Sequence, residues 1–136
     1  KLVNKESDII NKYIESLKKD LSSNNQELKN FNEKLENNLK TLIKFTDWIK
    51  DKMQKSKNDV SAACNDYLKV LGYVAVAHSW IKVLEVSYKN YETNKQFYED
   101  KINTAKYYFE RVLPRIESHY ITAVSGSDYI MSHKFN

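Results

Sequence analysis

A chain of 136 residues fits a single domain and can bury a continuous core. It contains two glycines and one proline, with neither type in residues 1–71, and this excludes all-β and α/β folds, which need turn residues far more often. The charge is 13 basic against 11 acidic residues in 1–68 and 9 against 7 in 69–136, a net of +4 without a basic block or tail, so a nucleic-acid footprint is missing.

Twenty of the basic residues are Lys and only Arg111 and Arg115 are Arg. The lysines alternate with Glu, Asp and Asn, the pattern of a solvated helix surface rather than of phosphate neutralisation. Cys64 is the one cysteine; flanked by Ala62 and Ala63, it is expected to pack as a small buried hydrophobe. No uninterrupted apolar run approaches the roughly 20 residues that a membrane-crossing helix needs, and no leader is visible. A reducing, cytoplasmic setting is therefore expected.

The spacing predicts a first helix over about Lys5–Leu21, with Ile10, Tyr13, Ile14, Leu17 and Leu21 on one stripe. Ser22-Ser23-Asn24-Asn25 breaks it, because these side chains bond their own backbone. The second helix is predicted over about Asn25–Lys55, striped by Leu28, Phe31, Leu35, Leu39, Leu42, Phe45, Ile49 and Met53. At 1.5 Å per residue it is about 45 Å long and needs a partner along its length.

Asn58 or Asp59 is expected to cap a third helix over about Val60–Tyr91. Cys64, Tyr67, Leu68, Leu71, Val74, Ala75, His78, Ile81, Leu84 and Tyr88 trace one wide apolar face, and Val70, Tyr73, Val76, Ala77, Trp80 and Val83 surround it. A helix apolar on more than one side is central or is covered by something outside the domain. Gly72, Ala75 and Ala77 are expected to let another backbone approach. The fourth helix, about Lys95–Ser125, buries Phe97, Tyr98, Ile102, Ala105, Tyr108, Phe109, Val112, Leu113, Ile116, Tyr120 and Val124. Pro114 should kink it near Glu110. Gly126 suits a left-handed cap, and the apolar tail Asp128–Asn136 should dock on the helices or on a neighbour. The expectation is an all-α, antiparallel up-down four-helix bundle with a kinked last helix.

Chemistry finds little footing. A di-iron bundle needs Glu-x-x-His, but the residues three before His78, His119 and His133 are Ala75, Ile116 and Ile130. Cys64 and His78 lie fourteen residues apart on one helix, about 20 Å, too far to act as a nucleophile and its base. Gly72 and Gly126 cannot form a phosphate-cradling loop. Glu85, Glu99, Glu110 and Glu117 read as solvated or lysine-paired carboxylates, His78 as a core histidine with a satisfied hydrogen bond, and His119 and His133 as surface residues. No catalytic, cofactor or metal residue is assigned. The aromatic residues of the fourth helix, interleaved with cations, read as core packing with snorkelling lysines or as an interface.

Tyr67-Leu68, Gly72, Trp80, Phe97-Tyr98, Lys101, Ala105, Tyr108, Leu113-Pro114, Ser125-Gly126-Ser127 and Phe135 together resemble the C-terminal extension domain of a subgroup of acyl-CoA dehydrogenases. The resemblance implies a helical module at the end of a longer flavoenzyme, whose FAD, catalytic glutamate and acyl-CoA cavity belong to an upstream core. It implies packing on that core or on a neighbouring subunit, or a place at the substrate entrance. The docking surface it suggests lies around Tyr98, Lys101, Tyr108 and Arg111. Two other readings stay open: a free-standing helical adaptor, and a binder of an acyl chain or small molecule in a slot near Gly72 and Trp80.

Overall fold

A computed structural model describes residues 2–22 and 25–132. The described residues are helical, without a strand: α1 (Leu2–Leu21), α2 (Lys29–Lys55), α3 (Lys57–Lys89), a 3-10 turn (Tyr91–Thr93), α4 (Lys95–Tyr107), a π turn (Tyr108–Val112), α5 (Arg115–Val124) and the single turn α6 (Asp128–Met131). Helix α1 packs on α2, and α2 packs on α3 and α5. Helix α3 touches α4, the π turn and α5 as well.

The joints follow from local chemistry. Asn25 accepts the Glu27 N–H through Oδ1 at 3.0 Å, and the Leu28 N–H bonds the Asn25 carbonyl at 3.1 Å. These bonds hold residues 25–28 in a turn, so α2 starts at Lys29 rather than at Asn25. Ser56 alone joins α2 to α3. Its N–H closes α2 on the Lys52 carbonyl at 2.7 Å, while its Oγ accepts the Asp59 N–H and caps α3. The cap therefore falls on Ser56 and not on Asn58 or Asp59, because the single extended residue serves both helix ends. Asn94 caps α4 by accepting the Phe97 N–H.

The predicted fourth helix is divided rather than simply bent. Pro114 has no N–H to give, and its ring crowds the Glu110 carbonyl. The preceding turn widens into a π turn, in which the Leu113 N–H reaches back five residues to the Tyr108 carbonyl at 2.9 Å. The chain restarts as α5 with three-residue bonds from Ile116 and Glu117 to the Leu113 and Pro114 carbonyls.

The core runs through Leu17, Leu28, Leu35, Leu42, Phe45, Val70, Val74, Leu84, Leu113 and Ile116. The stripes expected for α1 and α2 are the buried ones. That of α3 is rotated: Ala63, Val70, Val74, Ala77, Ile81 and Leu84 face inward, while Cys64 is exposed and Leu68 is 61% exposed. Two opposite apolar faces compete on this helix, and periodicity could not say which one is covered by the domain. Phe97 is likewise half exposed rather than buried. Length and composition alone would allow α3 to cross a membrane, although its lysines interrupt every apolar run. The same test is passed by core helices, and α3 gives one face to the core.

Gly72 is exposed, and a Cβ built there meets nothing within 4 Å. Among the described residues no other backbone approaches it, contrary to expectation. Gly126, by contrast, takes φ +85° as the left-handed cap. Directly after it, Ser127 is buried and gives both its N–H (2.9 Å) and its hydroxyl (2.6 Å) to Asp59 Oδ1, while Lys52 Nζ lies 3.3 Å from Oδ2. The anchored chain stops there. Tyr129, Ile130 and Met131 of α6 are exposed, so this part of the tail does not dock on the helices. His133 and Phe135 lie outside the described residues.

Hydrogen bonds from the Ser127 hydroxyl and N–H, joined by Lys52, pull the Asp59 carboxyl down to about 2 from 3.8. A lowered folded-state value means that stability from this carboxylate is complete above the unfolded value and is lost as pH falls toward 2. Asp59→Asn should therefore lower the melting temperature at neutral pH, with the gap to wild type closing on acidification from pH 4 to pH 2. Gly72→Ala should raise stability by about 0.5–1 kcal/mol in urea unfolding, since an exposed helical glycine costs backbone entropy and blocks nothing. Phe45→Ala, at the centre of an aromatic cluster, should cost about 3–5 kcal/mol in the same assay.

Candidate docking surface

Several carboxylates and both described histidines tie elements together. His119 Nδ1 lies 2.7 Å from Asp66 Oδ1 between α5 and α3, and both side chains are about one-fifth exposed. His119 is thus an inter-helix residue, not a surface one. His78 Nε2 lies 2.9 Å from Asp20 Oδ2 and joins α3 to α1, the satisfied histidine expected from sequence. Glu117 accepts the Thr41 hydroxyl and Glu99 the Tyr91 hydroxyl, so these two carboxylates have structural partners. Phe45 packs edge-on against Tyr67 and Tyr120 at 5.0 and 5.5 Å, and the Tyr67 hydroxyl meets Thr46 Oγ1 at 2.8 Å. Among the described residues, no three His, Cys, Asp or Glu side chains gather to hold a metal ion.

The four residues singled out on the fourth helix separate into three environments. Tyr98 and Lys101 line a shallow open groove between α3 and α4, floored by Val83, Val86 and Phe97 and edged by Lys82. Lys101 Nζ stands 5.3 Å above the Phe97 ring, a cation–π contact. Tyr108 points inward and donates its hydroxyl to the Tyr73 carbonyl of α3 at 2.7 Å. Arg111 stands exposed on the π turn and makes no ion pair among the described residues.

A larger surface extends from this groove along α3. Leu68, Val76, Val83 and Val86 are exposed, and Gly72 and Ser79 fall between them. At 100° per residue these positions form one stripe, about 180° from the stripe buried against α2 and α5. Helix α3 is therefore apolar inward and apolar outward. Sequence reading noticed the apolar bulk of Val76 and Val83 but assigned Leu68 to the core.

A family model described as acetyl-CoA dehydrogenase C-terminal like matches residues 7–134. The chain belongs to this family. No curated protein and no solved structure shows a significant match to it. As an acetyl-CoA dehydrogenase C-terminal-like domain, the chain carries the resemblance noted in its second half over nearly its whole length, α1 and α2 included. Its helices supply contacts between elements and an outward apolar face.

Burial, reinforced by Tyr73, pushes the Tyr108 hydroxyl up to about 12 from 10.0. A raised folded-state value means that stability is complete below pH 10 and declines as pH rises toward 12. Tyr108→Phe should cost about 1 kcal/mol at neutral pH through the lost hydrogen bond, and should flatten the alkaline decline seen by urea unfolding at a series of pH values.

Proposed function

We propose that the chain is the C-terminal helical module of an FAD-dependent acyl-CoA dehydrogenase, present in the cytoplasm and serving packing or assembly of that enzyme. The family match over residues 7–134 carries this reading. In the parent, α,β-dehydrogenation of an acyl-CoA belongs to a core domain preceding this one. The helices fit an antiparallel four-helix bundle in which α4, the π turn and α5 together act as the fourth member. The outward face of α3 supplies a surface that such a module would place against the core or a neighbouring subunit.

The described residues do not fit a flavin site. Gly126 caps α5 against Asp59, and Gly72 lies in the middle of an exposed helical face. Neither opens a loop whose N–H groups could receive a pyrophosphate. FAD is accordingly assigned to the core, and no step of the reaction is assigned to these residues.

The decisive measurement is purification of the natural gene product with an antibody raised against this chain. A yellow protein much larger than 16.1 kDa that binds FAD and dehydrogenates acyl-CoA is the expected result. A colourless protein of 16.1 kDa would overturn the proposal in favour of a free-standing adaptor.

A further inference from the structure

The outward face of α3 has a chemical character of its own. Its centre sets the small Gly72 and Ser79 on either side of Val76, and a Cβ added to Gly72 meets open space. Small-residue surfaces allow a second helix to approach closely, whereas interfacial insertion into lipid favours protruding Leu, Phe and Trp beside a basic face. Toward the C-terminal end of α3 the face widens into the groove under Phe97 and Tyr98.

Among the described residues of α3 and the groove, the charges nearest this face are positive. On the helical wheel Lys69 and Lys82 stand about 70° to either side of the stripe. Lys101 edges the groove from α4. None of the three makes an ion pair among the described residues. The carboxylates of α3 are directed elsewhere: Asp59 holds Ser127, Asp66 holds His119, and Glu85 lies about 130° from the stripe.

This border also disfavours a second copy. A two-fold antiparallel pairing of α3 about the midpoint of Gly72 and Ser79 would match Leu68 with Val83 well. It would leave Lys69 and Lys82 on opposite flanks of the seam with no carboxylate of α3 facing either, so a second copy offers these lysines no charge complement.

From the apolar floor and the cationic border we infer that this face receives an amphipathic helix whose apolar stripe is flanked by Asp or Glu. This deepens the proposed function, because it states what the contact surface of the dehydrogenase core must look like. Lys82 and Lys101 are the recognition residues on this side, and Gly72 and Val76 sit where the two helices cross.

Carbodiimide coupling of the purified natural gene product, followed by peptide mapping, tests the inference. The reagent joins an amine to a carboxylate only when the two are in contact. The expected result is amide links from Lys82 and Lys101 to Asp or Glu residues outside residues 1–136, spaced three or four apart on a helix. Lys82→Glu/Lys101→Glu should weaken docking roughly tenfold, while Lys82→Arg/Lys101→Arg keeps it. Links confined to this chain, links to a second copy of it, or none at all would overturn the inference. So would binding of the chain to phosphatidylglycerol vesicles that the Glu variant abolishes, since that assigns the face to a lipid surface. A colourless product bearing the expected links would refute the flavoenzyme reading and leave the docking inference standing. A flavin-bearing product without them would do the reverse.

Discussion

Burial of the inward stripe of α3 is the contact on which the other elements depend. Val70, Val74, Ala77, Ile81 and Leu84 are covered where α3 lies along α2 and α5, and α1 and α4 also touch this helix, α1 through the pair of His78 and Asp20. The hydrophobic term supplies the driving force, at about 25 cal/mol for each Å² of apolar surface removed from water. The polar clamps then select one arrangement. Thr41 with Glu117, Asp66 with His119, and Asp59 with Ser127 each join residues more than fifty positions apart, so each is made only when α5 lies correctly against α2 and α3. A hydrogen bond that only the right register can form adds specificity beyond its modest contribution to stability.

Helix content, the positions of the breaks and most of the α1 and α2 core were legible in the sequence, because Leu17, Leu35 and Leu42 recur on otherwise polar helices and leave one solution. Helix α3 was harder for a physical reason. Leu68 and Val70 are equally apolar and only two positions apart, yet one faces solvent and the other the core. Periodicity locates apolar stripes but does not say which of two will find a partner within the chain. Cys64 was misplaced by the same ambiguity, as was the close approach expected at Gly72.

The clamps were invisible for a different reason. Asp66 and His119 are unremarkable in sequence and become partners only through the π turn, which sets the rotation of α5 relative to α4. Pro114 signalled an interruption, but the extra residue taken up in Tyr108–Val112 follows from how the freed carbonyls find donors. The candidate residues divide in the same way. Tyr98 and Lys101, singled out through the family resemblance, are three apart on a regular helix and line one groove. Tyr108 was read both as part of the buried face and as part of the docking surface, and the sequence does not show that its hydroxyl ends on a carbonyl of α3.

The single-residue joint at Ser56 bears on the order in which these parts form. Connecting α2 to α3 through one extended residue makes the entropy of closing that hairpin small. Near Ser56 the two helices meet through residues fairly close in sequence, such as Thr46 and Tyr67, 21 positions apart, the kind of contact that speeds folding. The clamps to α5 instead span long stretches of chain and must wait until that closure entropy has been met. The α2–α3 hairpin thus forms a template that precedes arrival of the C-terminal half. During synthesis from the N-terminus it would exist before α5 is made, with the face meant for α5 briefly open. That interval, rather than the finished fold, is when α3 exposes apolar surface on both sides and is most open to misassociation.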